Sequence, residues 1–182
     1  MPGVQSVKFS ITAKNPDSQK FFNQGVTQLH GFWYFEAERS FRQVAYLDPD
    51  CAMAYWGMAM ANTNTEKRAV SFMKEATKRR DKVSPREQRW VDAWAAFYSA
   101  ENKDDRARRT ELIRALEELI YEYPDDLEAK AFLVFQLWDN QQHNVALPSR
   151  LAVDALAHQV LAESPLHPGV HHYLIHLWNN KG

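Results

Sequence analysis

Apolar residues recur every three to four positions along most of this chain, and short polar breaks separate the apolar stretches. In the segment 105–123, for example, Leu112, Leu116 and Leu119 fall on one stripe of a helix, and Tyr123 follows one turn later. Because no long alternating pattern is present, the sequence predicts an all-α chain with about nine helices. The predicted helices span 17–31, 34–47, 51–62, 65–81, 86–100, 105–122, 126–139, 149–163 and 169–180.

Several of the breaks contain residues that begin helices. In "SPRE", 84–87, Ser84 is a predicted N-cap, Pro85 takes the first helical position and Glu87 closes a capping box. The stretches "TNTE", 63–66, and "DDLE", 125–128, predict capping boxes in the same way.

A repeat appears when the chain is offset by 32 residues. The aligned pairs are Gly25 with Gly57, Ala37 with Ala69, Phe41 with Met73 and Val44 with Ala76. A small residue midway along the first helix of each pair lets the second helix approach closely. A large apolar residue of the second helix then fills the remaining space, so the repeat predicts stacked helix pairs.

This spacing resembles the tetratricopeptide repeat. Residues 21–50, "FFNQGVTQLHGFWYFEAERSFRQVAYLDPD", match its pattern best, at positions Phe21, Gly25, Ala37, Phe41 and Pro49. The blocks at 21–57 and 167–176 together resemble a group of bacterial tetratricopeptide-like proteins. The resemblance implies a right-handed α-solenoid, and it implies no particular reaction.

The expected organisation is an extended or disordered segment over residues 1–16, followed by one repeat domain over 17–182 that continues beyond the last residue given. In such arrays the first helix of each pair lines a groove that binds protein or peptide partners. The groove residues expected from the repeat register are Phe22, Val26, Leu29, His30, Met58 and Asn62.

The block "HPGVHHYLIH", 167–176, carries four of the seven histidines. His172 and His176 are four residues apart, which suits two ligands of one metal, and His167 is a candidate third ligand. Tyr173 stands where zinc hydrolases of the H-E-x-x-H type have glutamate. A second interpretation is a packed helix start in which His167 caps the helix and Pro168 takes its first position. A metal-binding or metal-dependent enzyme domain is therefore the alternative to a binding scaffold.

The composition and the sequence motifs indicate which classes of partner and cofactor to expect. The net charge is −1, and each basic run has acidic neighbours, so we expect no nucleic-acid partner. No apolar run is long enough to span a membrane. The single cysteine, Cys51, is expected to be a small buried residue. The chain contains no phosphate loop, dinucleotide fingerprint or nucleophile elbow, so no cofactor is expected.

Two apolar surfaces suggest self-association. The helix predicted at 169–180 is apolar on more than one face, and residues 32–35 are four consecutive aromatics. We expect a homo-oligomer through one of them. The compartment is undetermined by the sequence, with the cytoplasm as the expectation unless a signal peptide has been removed.

Overall fold

The computed structural model describes residues 7–99, 104–147 and 149–179, and in these residues each α-helix packs against at least one other. Over these residues there are nine α-helices, two short 3-10 helices and no strand, which confirms the predicted fold class. The α-helices are α1 (Pro16–His30), α2 (Tyr34–Leu47), α3 (Ala52–Met60), α4 (Glu66–Thr77), α5 (Pro85–Phe97), α6 (Asp105–Glu122), α7 (Leu127–Asp139), α8 (Arg150–Glu163) and α9 (Pro168–Trp178). The 3-10 helices are Arg80–Lys82 and Asn140–His143. Residues 1–6 of the expected N-terminal segment, and the predicted helix ends at 100 and 180, lie outside the described residues.

Of the three predicted capping boxes, one is confirmed and two are wrong. At α5 the capping box of Ser84 and Glu87 is confirmed, with Pro85 at the first helical position. At α7 the predicted cap was wrong by one residue: Asp126, not Asp125, accepts from the backbone N–H of Ala129. At α4 the N-cap is Thr65 and its side chain makes no capping bond, so the box predicted at 63–66 was wrong.

The chain divides into two compact units. The N-terminal unit contains the described residues 7–99, and the C-terminal unit contains the described residues 104–147 and 149–179.

In the N-terminal unit each helix from α1 to α4 packs on the next, and α3 also contacts α1 and α5. Odd-numbered helices are therefore neighbours, as stacked helix pairs require. The close approach predicted from the repeat occurs around Phe41: a Cβ atom added to Gly25 would lie 2.7 Å from Cε1 of its ring. Ala37, Ala69 and Met73, which the repeat places on the packed faces, are buried.

In the C-terminal unit α7 is the central helix and contacts α6, α8 and α9. The stripe Leu112, Leu116 and Leu119 on α6 is buried, as its spacing predicts. Helix α6 ends at Glu122, and Tyr123 serves as its half-buried C-cap residue. No helix in the described part of the chain is both long and apolar enough to cross a bilayer.

Candidate functional site

Residues 7–14, called the segment below, lie beside α1 and bind it mainly through their backbone. The N–H groups of alternate residues donate to α1 side chains: Val7 to Oγ1 of Thr27 (3.4 Å), Phe9 to Oδ1 of Asn23 (3.3 Å) and Ile11 to Oε1 of Gln19 (2.9 Å). Residues later in the segment contact residues earlier in α1, so the segment runs opposite in direction to α1.

The three α1 side chains share one face because they are spaced four residues apart. Gln19 donates through Nε2 to the carbonyl of Phe9 (2.7 Å) and also to Oδ1 of Asn23 (2.8 Å). Thr27 donates from its hydroxyl to the carbonyl of Asn23 (2.9 Å). The face is therefore held in place by its own hydrogen bonds.

The Phe9 ring is the apolar anchor of the segment and is only 1% exposed. It meets Phe22 and Trp56 edge to face, with centroids 5.3 Å and 5.8 Å away, and it lies 4.9 Å from Trp90. The guanidinium of Arg86 lies over the ring, 4.9 Å from its centroid, and Arg86 also donates to the carbonyl of Ser10. Helices α1, α3 and α5 thus enclose one side chain.

Beyond Phe9 the segment binds the start of α5. Glu87, which is 1% exposed, accepts from the backbone N–H of Thr12 (2.7 Å) and from its hydroxyl (2.6 Å). The same carboxylate accepts from Ser84 as part of the α5 capping box, so one buried acid both caps the helix and holds the segment.

The segment ends at an acidic turn after α2. The N–H of Lys14 donates to Asp48 (2.7 Å), and its ammonium pairs with Asp50 (2.8 Å). Lys14 and Lys82 hydrogen-bond to Asp50, and with their positive charges they lower the pKa of that carboxyl to about 2. We define the segment site as the surface formed by Gln19, Phe22, Asn23, Thr27, Trp56, Arg86, Glu87 and Trp90.

The groove residues expected from the repeat register are all buried: Phe22, Val26, Leu29, His30, Met58 and Asn62. Phe22 belongs to the segment site. The Asn62 side chain bonds to α2 and α3: its amide donates to Glu38 of α2 (2.8 Å) and to the carbonyl of Met58 in α3 (2.8 Å). The contacts thus bring Phe22 to the site and engage the Asn62 amide elsewhere.

The histidine block forms the start and body of α9. His167 is a buried N-cap whose Nδ1 accepts from the N–H of Val170 (3.2 Å), and its Nε2 lies 3.0 Å from a carboxylate oxygen of Glu128 on α7. The predicted cap at His167 and first helical proline at Pro168 are confirmed.

His172 and His176 form a separate pair with their Nε2 atoms 3.0 Å apart. One ring donates to the other, so at least one ring nitrogen of the pair accepts a hydrogen bond. Burial lowers the pKa of His176, and the nearby His172 lowers it further. Over the described residues, no third His, Cys, Asp or Glu ligand atom groups with this pair, so His167 does not join it.

Two other features of the sequence lie outside the segment site. Cys51 is buried as predicted, and burial raises the pKa of its thiol to about 12, which opposes nucleophilic chemistry. Of the aromatics at 32–35, Trp33 and Phe35 are exposed, while Phe32 stacks on Tyr34 at the turn between α1 and α2.

No family model, curated protein or solved structure matches this chain. The resemblance to tetratricopeptide proteins stays a prediction.

The segment site has only a weak signature in the sequence. Val7, Phe9 and Ile11 alternate with polar residues, which is the period of an extended strand. Gln19, Asn23 and Thr27 repeat at helical spacing, yet polar residues at that spacing are ordinary on a solvated face. The two patterns indicate a binding site only once the structure shows that the segment lies beside this face of α1.

Proposed function

We propose that this chain is a helical-repeat scaffold whose N-terminal unit binds an extended stretch of polypeptide at the segment site. One observation carries the proposal: residues 7–11 are held there by Gln19, Asn23 and Thr27 through main-chain groups. An extended polypeptide without proline at the bonded positions offers the same groups at the same spacing. The side chains of Gln19, Asn23 and Thr27, which bind these main-chain groups in residues 7–11, are therefore suited to bind the same groups in a segment of another protein.

The chemistry of the site supports a peptide over other ligands. The α1 face supplies acceptors for N–H groups and an amide donor for a carbonyl, which matches the polar groups of an extended backbone. The aromatic surroundings of Phe9 supply the apolar contact that gives such a complex its affinity. The resemblance to tetratricopeptide repeats agrees with this proposal.

A peptide titration tests the proposal. The Phe9→Ala chain, in which the segment has lost its anchor, is titrated with a fluorescent peptide of residues 6–14, "SVKFSITAK", and anisotropy is recorded. We expect saturable binding, and much weaker binding to the natural chain, because a tethered segment competes at an effective concentration of about millimolar. Adding Asn23→Ala to the Phe9→Ala chain should weaken the binding. A folded Phe9→Ala chain that takes up no peptide would contradict the proposal.

A second candidate function is metal binding by the C-terminal unit. The 3.0 Å separation of the Nε2 atoms of His172 and His176 brings two imidazole ligands to one point. Calorimetric titration with Zn²⁺ tests it: binding lost in both His172→Ala and His176→Ala, and retained in His171→Ala, would support a site. Equal heats in all four chains would exclude the pair as ligands.

We also propose that the chain self-associates, as its exposed apolar side chains suggest. Ile175 and Trp178 on α9 are 63% and 48% exposed, and Trp33 and Phe35 are exposed at the start of α2. Sedimentation velocity of the natural chain, compared with Ile175→Ser and Trp33→Ser, distinguishes the two surfaces. A single monomeric species at high concentration would contradict this proposal.

A further inference from the structure

The segment site contacts side chains of the segment in addition to forming the main-chain bonds that hold residues 7–11. Those bonds set the direction and the register of an extended chain, but they do not depend on its side chains. Selectivity must therefore come from the side chains that the site buries or bonds.

The strongest selection falls on the position of Phe9. Its ring contacts Phe22, Trp56 and Trp90, all at edge-to-face or tilted angles that favour aromatic pairs. Arg86 adds a cation over the ring face, and an aliphatic side chain offers no such face. The position therefore favours an aromatic residue over an aliphatic one of similar volume.

Two neighbouring positions add weaker selection. Val7 is 4% exposed, so its position takes an apolar side chain. At Thr12 the hydroxyl donates to the buried carboxylate of Glu87 at 2.6 Å, so a side chain without a donor would lose that bond. The side chains of Lys8 and Ser10 are exposed, so these two positions accept a wide range of residues.

We infer that the site binds a segment of a partner protein with the pattern aliphatic–x–aromatic–x–x–hydroxyl, oriented opposite to α1, in place of residues 7–12. This inference rests on the proposed function and names its ligand class. Residues 7–12 of the chain satisfy the same pattern and occupy the site. They are joined to α1 by residues 13–15 alone, and Asn15 caps that helix. The short link makes the segment an intramolecular competitor that a partner has to displace.

The experiment uses the full Phe9→Ala chain and a set of labelled peptides based on residues 6–14. The natural peptide is compared with its Phe9→Ala, Phe9→Leu and Thr12→Val forms, and Lys8→Ala is the matched control at an exposed position. We expect the Phe9→Ala peptide to bind at least about tenfold more weakly than the natural one. Phe9→Leu and Thr12→Val should bind severalfold more weakly, and Lys8→Ala within about twofold.

The outcomes separate the inference from the function on which it rests. If all five peptides bind alike, the pattern is overturned and peptide binding stands. If none binds a folded Phe9→Ala chain, both are overturned. When the natural full chain is added to the Phe9→Ala chain that already holds the labelled peptide, it should displace none of the peptide, because its own segment is engaged. Displacement would assign the site to exchange between copies and overturn a partner protein as the occupant.

The Phe9→Ala chain retains a test even if it unfolds, because a ligand that binds only the folded state restores folding by mass action. Helical circular dichroism is then followed during the same titrations. Recovery with the natural peptide, and at least about tenfold more Phe9→Ala peptide needed for the same recovery, supports the inference. Equal recovery with both peptides, or recovery with neither, overturns it.

Discussion

Gly57 of α3 lies directly against the ring of Phe41 from α2. A Cβ atom added to Gly57 would come within 2.5 Å of Cε1 of that ring, far inside van der Waals contact. Gly25 of α1 bounds the same ring, so one aromatic side chain joins three consecutive helices. The spacing between neighbouring helix pairs in the N-terminal unit thus depends on two glycines.

We predict that Gly57→Ala destabilises the chain by about 1–3 kcal/mol, because the added methyl group overpacks a filled core. The matched control is Gly31→Ala. A Cβ atom at Gly31 would meet nothing nearer than 3.6 Å, and its φ of −87° suits any residue. Urea unfolding followed by tryptophan fluorescence measures both changes. Equal midpoints for the two variants would show that Phe41 moves aside without loss.

Phe9→Ala should lower the free energy of unfolding by about 3–5 kcal/mol, as expected for truncation of a buried phenylalanine. The ring is enclosed by Trp56 and Trp90, so their fluorescence should change with the same mutation. Lys8→Ala, one residue away and exposed, should leave the unfolding midpoint unchanged. Natural stability in the Phe9→Ala chain would mean that the segment contributes nothing to the folded unit.

His167→Ala should destabilise the C-terminal unit by about 1–3 kcal/mol. The change removes the N-cap acceptor of Val170 and a partner of the buried Glu128 carboxylate. The control, His171→Ala, alters an exposed residue on the same helix. Thermal unfolding by circular dichroism compares the two, and a shift of the same size in both would remove the special role of His167.

The His172–His176 pair predicts a pH dependence of stability. Burial and the neighbouring His172 lower the pKa of His176 below its ordinary 6.5, so the folded chain binds fewer protons than the unfolded chain just below that pH. The contribution is complete above about pH 6.5 and is lost as the pH falls through the lowered pKa.

Urea midpoints from pH 7.5 to 5 for the natural chain and for His176→Gln measure this contribution. The natural chain should lose more stability across that range than the variant, since the glutamine does not titrate. Parallel curves for the two chains would show that His176 titrates alike in the folded and unfolded states.

Local sequence determined most of the helices and much of their packing. The capping box at Ser84 and Glu87, the cap at His167 and the stripe on α6 depend on residues within a few positions of one another, so their chemistry is legible without the fold. The 32-residue offset also predicted the close approach of Phe41 to Gly25 within the first helix pair, which is confirmed. For Gly57 it predicted the approach of the second helix of its own pair, and the nearest side chain is instead Phe41 of the preceding pair. For the caps and the stripe a short-range pattern is sufficient because helix geometry fixes which residues share a face.

The tertiary structure decided the candidate site. Phe9 acquires its surroundings from Trp56 and Trp90, which lie far along the chain, and Thr12 meets Glu87 across 75 residues. Glu128, which the sequence places in a capping box, instead turns to a histidine 39 residues away, because Asp126 already caps α7 and the packing of α9 on α7 brings His167 to it. A polar side chain can often form any of several local hydrogen bonds, and its burial and its long-range partners determine which bond forms. Because those partners lie far away in the sequence, no short stretch of sequence predicts the result.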